Sequence, residues 1–116
     1  MVIQRFILSA QNLTPKEYYR MTKAKKLYVK QHNKCAICCY MKKLEVHHIV
    51  PVHIDCKLAA DPNNFITLCR NCHFIFGHFH NFRTKWNPEI VEFAEEARNL
   101  LEYGRERLDI IVLNAS

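Results

Sequence analysis

The fold is decided by two Cys-x-x-Cys pairs, Cys35-Ala-Ile-Cys38 and Cys69-Arg-Asn-Cys72, and by what stands between and beside them. Between them lies Glu45-Val-His47-His48-Ile49-Val50-Pro51, and His73 directly follows the second pair. Four thiolates at this spacing are the ligands of a closed, tetrahedral structural zinc site. Three further histidines exceed what such a site needs. The sequence therefore predicts a zinc-held frame that carries a second, catalytic cluster.

Length and composition indicate one ordinary globular domain. A chain of 116 residues can bury a modest core, and 49% hydrophobic with 24% charged residues argues against disorder. No apolar run approaches the roughly 20 residues of a membrane span, and residues 1–8 do not resemble a signal peptide. We therefore expect a single domain over 1–116, in the cytoplasm and without a membrane partner. In that compartment the cysteine pairs are expected to hold metal rather than form disulfides, with Cys39 and Cys56 as incidental thiols.

Positive charge is concentrated in the N-terminal third. Residues 1–43 contain ten Lys and Arg against one acid, whereas residues 86–116 contain three against seven. A basic surface that leads into a metal site favours contact with the phosphate backbone of nucleic acid, although a solvated helix face is the alternative. The residues predicted to contact nucleic acid are Lys23, Lys25, Lys26, Lys30, Arg70, Arg83 and Lys85.

The metal region is predicted to contain two strands and a short helix. Apolar alternation indicates strands over 44–50 and 65–68, followed by a helix from Cys72 to about His78. On the first strand, His47 and His48 must point to opposite faces. One of them could bind an ion while the other accepts a proton, since neutral imidazole is a suitable base near pH 7.

Two longer helices are predicted outside this region. Thr14-Pro15-Lys16-Glu17 is a capping box that begins a helix to about His32, with Tyr18, Tyr19, Leu27 and Tyr28 as its apolar contacts. Asn87-Pro88-Glu89 begins the last helix, whose apolar residues, Leu100 and Leu101 among them, recur at helical spacing. Trp86 is expected in the core, with the DNA path beside Arg83 and Lys85 as the alternative. Residues 2–8 are compatible with a short strand, and the apolar tail 109–113 with a final strand or a contact for another chain.

The combined motif resembles that of a known family. Glu-Val-His47-His48-Ile-Val-Pro, followed by Asn64-Phe-Ile-Thr-Leu-Cys-Arg-Asn-Cys-His73, is similar to the HNH endonucleases, and Cys72-His-Phe-Ile-Phe-Gly-His78 to their small phage and bacterial members. The resemblance covers about residues 35–80. It implies an α+β fold: a ββα-metal (His-Me finger) core, stapled by the four-cysteine zinc site and flanked by an N-terminal and a C-terminal helix. It also implies a metal-dependent DNA endonuclease.

The resemblance implies a role for each residue that matches the motif. His47 and His73 would bind the catalytic ion, which would be Mg²⁺, Mn²⁺ or another divalent ion. His48 would be the general base, and Asn64 would orient the loop that carries it. His78 stands five residues after His73, about 140° around an α-helix, whereas relatives place a histidine at the fourth position, here Gly77.

Two assignments within the motif stay open at this stage. Either the helix is locally distorted and His78 shares the ion, or His78 contacts phosphate instead. Glu45 is either a carboxylate that hydrogen-bonds to a ligand histidine or a plain surface acid.

Two rival functions also stay open. The chain could be a zinc-stabilised nucleic-acid-binding module that makes no catalytic use of its histidines. It could also be an accessory subunit whose cutting is activated by a phage or bacterial DNA-processing partner. For the endonuclease, one site per chain implies nicking by a monomer, and double-strand cutting would need a homodimer or two encounters.

Overall fold

A computed structural model describes residues 13–115, with side chains as far as residue 104. Within this range the chain forms helix α1 (Pro15–Gln31), strands β1 (Leu44–His48) and β2 (Phe65–Cys69), helix α2 (Arg70–Cys72), a π-helical continuation (His73–Gly77) and helix α3 (Ile90–Ala115). The predicted α+β fold, with strand, strand and helix at its centre and a helix on either side, is confirmed. None of the helices in this part of the chain has both the length and the apolar character to cross a bilayer.

Helix α1 begins where the capping box predicts. The hydroxyl of Thr14 accepts a hydrogen bond from the Glu17 backbone N–H (3.1 Å), and the Glu17 carboxylate accepts one from the Thr14 N–H (3.3 Å). These reciprocal bonds satisfy donors that the first helical turn leaves without partners. The start of α1 is therefore encoded locally.

One narrow face of α1 contacts the rest of the protein. Met21 is buried, Lys25 is half-buried, and the Tyr28 hydroxyl donates to the Phe65 carbonyl at 3.0 Å. These positions recur at four and three residues, so they form one stripe. Tyr19 and Leu27 lie off this stripe and are exposed, so their predicted packing role is wrong.

The two strands form an antiparallel hairpin that presents the motif histidines. His47 pairs with Ile66 and His48 with Phe65. β1 ends at His48, two residues earlier than predicted, because the chain then bonds to Asn64: the Ile49 N–H donates to its carbonyl at 2.8 Å. All of β2 is buried, which anchors the hairpin.

Two small cores hold the elements together. The first joins the cysteine pairs and β2 to the start of α3 through Ile37, Ile66, Leu68, Ile90 and Ala94. The second joins α1 to the loop between the strands through Leu13, Met21, Val52 and Ala59. This second core fixes the loop that faces His48.

Helix α3 extends beyond the body of the protein. Ile90 and Ala94 are buried as predicted, but Leu100 and Leu101 are exposed, because the helix has passed the end of the first core. Gly104 lies inside α3. The tail 109–113 continues the helical backbone, so the prediction of a final strand there is wrong. The strand predicted for residues 2–8 lies outside the described residues.

Candidate active site

Three imidazole rings meet where β1 lies against the π-helical turn. The ring centroids are 5.0 Å apart for His47 and His73, 4.8 Å for His47 and His78, and 4.9 Å for His73 and His78. Each ring offers a nitrogen within 4.8 Å of the others. His47 is only 1% exposed, and neither of its ring nitrogens has a hydrogen-bond partner among the described residues. Because an unsatisfied buried polar group costs about 1–3 kcal/mol, this convergence fits a divalent metal ion.

His78 joins the cluster because the helix after β2 widens. Residues His73–Gly77 are π-helical, with bonds that span five residues rather than four. In an α-helix His78 would lie about 140° away from His73, but the wider π turn brings the fifth residue closer to the face of the first. Of the two assignments of His78, the locally distorted helix is the one that the structure contains.

Gly77 leaves the space that the rings occupy. A Cβ atom at this position would lie 3.2 Å from Nδ1 of His47 and 3.3 Å from Cδ2 of His73. A larger side chain would therefore push one of the two rings away. Position 77 is therefore a glycine that packs against the rings of the cluster, and it has no room for the histidine that the resemblance implies there.

The two helical histidines are oriented by hydrogen bonds at Nδ1. His73 Nδ1 donates to the Glu45 carboxylate at 3.0 Å, and that carboxylate also pairs with Arg70 at 3.5 Å. His78 Nδ1 donates to the Lys85 carbonyl at 2.7 Å. In a neutral imidazole this leaves Nε2 as the free ligand atom, an arrangement common around protein-bound metals. Glu45 is therefore a partner of a cluster histidine and not a plain surface acid.

His48 lies on the other face of β1. Its Nε2 bonds to the Ala59 carbonyl at 2.8 Å, so in the neutral ring Nε2 carries the hydrogen and Nδ1 is the proton acceptor. Asn64 holds the surrounding loop: its amide donates to the carbonyls of Val50 (2.9 Å) and Leu58 (3.3 Å) and accepts from the Val50 N–H (2.8 Å). Ala59 follows Leu58, so Asn64 positions the carbonyl that orients His48.

Burial keeps the four histidines neutral. It lowers the pKa of His47 to about 3, helped by His73 and His78, and lowers the pKa of His48 to about 4, helped by the charge of Lys25. Burial also lowers the pKa values of His73 and His78. Neutral rings at pH 7 are what both metal binding and proton acceptance need.

The four paired cysteines form a separate cluster. Their sulfur atoms lie within 4.8 Å of one another, and those of Cys38 and Cys69 are 3.7 Å apart. Tetrahedral zinc with Zn–S distances of about 2.3 Å separates its sulfurs by about 3.8 Å, so the geometry fits. Burial raises the pKa values of Cys38 and Cys72, and neighbouring thiols add to the effect. Without a cation, Cys38 and Cys72 would therefore keep their protons. Cys39 and Cys56 lie outside the cluster.

A cleft of about 480 Å³ opens onto the histidines. His48, His73 and His78 line it together with Lys25 from α1 and Arg83 and Lys85 from the loop after the π turn. Lys25 is half-buried in the cleft, and burial lowers its pKa while Glu45 opposes the shift. The seven predicted nucleic-acid contacts are thus not equivalent.

The other predicted contacts lie at the rim or outside the cleft. Arg83 and Lys85 are exposed at its edge, and Arg70 is exposed beside the cysteine cluster. The remaining three, Lys23, Lys26 and Lys30, are exposed on α1 and do not line the cleft. The structure therefore separates one lysine inside the site from a basic surface around it.

Two aromatic residues complete the cleft. Phe82, which sequence reasoning missed, is 52% exposed, with its ring centroid 4.8 Å from that of His78 and 5.2 Å from that of His73. Trp86, expected in the core, is half-buried, lines the cleft and meets the His53 ring edge-on at 5.5 Å. The signal that could have revealed them is the alternation of aromatic and cationic residues in 82–86.

Comparison with known proteins supports the motif. The family model described as HNH endonuclease matches residues 32–75. No match was found among curated proteins or solved structures. The matched segment contains the four paired cysteines together with His47, His48 and His73. The resemblance seen in the sequence is confirmed: residues 32–75 match the HNH endonuclease family model.

Proposed function

We propose that this protein is a metal-dependent endonuclease that hydrolyses phosphodiester bonds in DNA, with His48 as its general base. One observation carries the proposal. His48, bonded through Nε2 to Ala59, lines the same cleft as His73 and His78 of the three-histidine cluster. A proton acceptor beside a metal-binding cluster is the pairing that hydrolysis of a phosphodiester needs.

The residues divide the reaction between them. His48 accepts a proton at Nδ1 from a water molecule, whose oxygen attacks phosphorus in line as the bond to the 3′ oxygen breaks, leaving a 5′-phosphate. Asn64 keeps the base oriented through the loop that carries Ala59. Lys25 lines the same cleft and would attract the phosphate by its charge. An ion bound by His47, His73 and His78 would neutralise negative charge that develops on the phosphate and the leaving oxygen.

The donor set bears on which ion is bound. Three imidazoles, without a carboxylate in the cluster, suit borderline-soft ions such as Ni²⁺, Co²⁺ or Zn²⁺ better than Mg²⁺, which prefers oxygen ligands. Among the divalent ions expected from the sequence, we therefore place the transition metals ahead of Mg²⁺. The cysteine cluster would hold a structural Zn²⁺ that ties the two knuckles together.

The surrounding surface suits a polyanion. Lys23, Lys26 and Lys30 would contact phosphates away from the reaction, and Arg83 and Lys85 phosphates at the rim of the cleft. Such contacts are independent of sequence and weaken steeply with salt. Within the 1–116 domain, whose core is at about 35–80, we assign these residues to DNA binding, in the cytoplasm of a bacterial or phage-infected cell.

One cluster per chain makes nicking the expected activity of a monomer. Leu100, which is 71% exposed, and Leu101 lie on α3, where they line a surface pocket with Cys38 and Cys39. We propose that a homodimer or a DNA-processing partner uses this part of α3 when both strands are cut. Light scattering over a concentration series, with Leu100→Glu/Leu101→Glu as the comparison, tests self-association; a constant monomer mass in both proteins would exclude the homodimer.

The primary experiment is plasmid cleavage. Supercoiled plasmid is incubated with the protein and Ni²⁺, Co²⁺, Mn²⁺ or Mg²⁺ in turn, beside metal-free samples and His48→Ala. We expect nicked product that requires both an added ion and His48, while zinc content and DNA binding persist in the variant. DNA binding with full zinc content but no cleavage under any ion would instead indicate a binding module or a partner-activated subunit.

A further inference from the structure

Phe82 presents an open aromatic face beside the metal-binding cluster. On one side Phe82 packs against the rings of His73, His78 and Phe74, whose centroids lie 5.2, 4.8 and 5.2 Å from its own. The rest of the side chain is exposed in the cleft. Phe82 therefore contacts three rings and still leaves about half of its surface open to the cleft.

The loop that carries Phe82 is held in place before any ligand arrives. The Asn81 side chain accepts from the backbone N–H groups of Arg83 (3.0 Å) and Thr84 (3.2 Å) and donates to the Thr84 hydroxyl (2.8 Å). The turn before it contains two consecutive left-handed residues, Phe79 (φ 48°) and His80 (φ 65°). Left-handed backbone is costly for such residues and clusters at functional sites. A preordered loop loses less entropy when it binds a ligand.

A second aromatic residue and the cationic side chains are also present in the cleft. The half-buried indole of Trp86 lines the same cleft, and Arg83 and Lys85 are exposed between and beside the two aromatic residues. Lys25 supplies a third cation from α1. Aromatic rings interleaved with cations bind single-stranded nucleic acid, because bases stack on the rings while phosphates pair with the charges.

We propose that Phe82 and Trp86 bind an unpaired base of the nucleotide next to the scissile phosphate, so that the enzyme prefers DNA with unpaired nucleotides over a fully paired duplex. In a duplex both faces of each base are covered by its neighbours, and only an unpaired or extruded base can offer a face. Phe82 contacts two of the ion-binding histidines directly, so the base it stacks on adjoins the phosphate that the ion would hold. This inference rests on the proposed function for the identity of the scissile phosphate.

Cleavage of two matched substrates tests the preference. One oligonucleotide duplex is fully paired, and the other has the same sequence with a short unpaired stretch. We expect the wild-type kcat/KM to favour the unpaired substrate by about tenfold, in line with the loss caused by removing one stacking side chain. Phe82→Ala should bring the ratio near one and Phe82→Tyr should restore it. Phe79→Ala is the matched control, since Phe79 is 47% exposed in the same segment but does not line the cleft.

Phe82→Leu distinguishes base stacking from simple shielding of His73 and His78 by an apolar side chain. Leucine keeps an apolar side chain against His73 and His78 but has no π face. The ratio should therefore fall as it does in Phe82→Ala. A wild-type ratio of one, or a preference that survives in Phe82→Leu, would overturn the proposal.

A binding measurement keeps the inference distinct from the proposed activity. Trp86 is the single tryptophan of the chain, so its fluorescence reports on the cleft directly. In the non-cleaving variant His48→Ala, unpaired DNA should quench this emission more strongly than duplex DNA at equal occupancy. Stronger quenching by unpaired DNA, without cleavage by the wild type, would overturn the proposed endonuclease activity and still support base stacking. Cleavage by the wild type, together with equal quenching by both DNAs in His48→Ala, would support the endonuclease and overturn base stacking.

Discussion

Glu45 and His73 are joined by a hydrogen bond of 3.0 Å between the carboxylate and Nδ1, and this bond links β1 to the π-helical turn. The same carboxylate holds Arg70 at 3.5 Å, so one acid links a cluster histidine to a predicted phosphate contact. Because the bond occupies Nδ1, it directs Nε2 of His73 to the cluster. Glu45 would therefore act through His73 on a metal ion bound by the cluster.

Removing the carboxylate should weaken metal binding. We expect Glu45→Ala to lower the affinity for Ni²⁺ or Co²⁺ by about 10- to 100-fold, the usual cost of losing an outer partner of a ligand histidine. Glu45→Gln, which can still accept a hydrogen bond at its amide oxygen, should lose less. Isothermal titration calorimetry on protein loaded with zinc at its cysteines measures both. Equal affinity in wild type and Glu45→Ala would show that His73 needs no such partner.

Gly77→Ala should disturb the cluster without unfolding the protein. The added methyl group meets His47 and His73 at 3.2–3.3 Å, which forces a ring to shift and should lower metal affinity. Gly104→Ala is the matched control, because nothing lies within 4 Å of its added Cβ and the residue is inside α3. That control should bind metal normally and gain about 0.5–1 kcal/mol in the free energy of unfolding, since alanine is the better helix former. Unchanged metal affinity in Gly77→Ala would mean that the rings are loosely placed.

Lys25 and Lys26 are neighbours on α1 with different predicted effects. Lys25 lines the cleft and Lys26 is exposed outside it. We expect Lys25→Met to lower kcat at least tenfold, because a charge beside the reacting phosphate is lost, and Lys26→Met to raise KM with little change in kcat. Steady-state kinetics on one labelled substrate measures the split. Equal effects of the two substitutions on KM alone would place Lys25 with the general basic surface.

The pH dependence of kcat should respond to the same lysine. His48 must be neutral to accept a proton, and burial with the charge of Lys25 lowers its pKa to about 4. Activity should therefore persist below the ordinary histidine value of about 6.5 and fall only as the pH approaches the lowered pKa. Lys25→Met removes one cause of the shift, so the acidic limb should move to higher pH. Zinc content is measured across the range, because loss of the structural metal would produce a limb that is the same in both proteins.

Loss of zinc should unfold the core of the protein rather than only abolish its activity. Cys35, Cys69 and Cys72 are buried in the first hydrophobic core, so an empty cluster would leave that core without its cross-link. We expect Cys69→Ser to abolish the cooperative thermal transition followed by circular dichroism. Cys39→Ser is the control, since Cys39 is exposed and outside the cluster. A cooperative transition that survives in Cys69→Ser would show that the core is stable without metal.

Short spacings in the sequence were sufficient for much of this protein. The capping box predicted the start of α1, the two Cys-x-x-Cys pairs predicted the sulfur cluster, and alternation along β1 predicted that His47 and His48 face opposite ways. Each of these signals is a spacing of a few positions, where backbone geometry leaves few choices, although the sulfur cluster then joins two pairs whose members Cys38 and Cys69 are 31 positions apart. Such features can therefore be predicted from the sequence before the fold is known.

The composition of the cleft was decided by tertiary structure. His78 belongs to the cluster only because the helix widens at Gly77, where the rings of His47 and His73 approach the backbone. Lys25 enters the cleft because the stripe through Met21 and Tyr28 docks α1 on the hairpin, and Tyr19 and Leu27 stay outside for the same reason. The sequence by itself determined the cysteine cluster and the histidine motif of the site, but not the place of Phe82 in it. Only packing between distant segments decided which of them share one cleft, because ring contacts and burial depend on surfaces that no local pattern records.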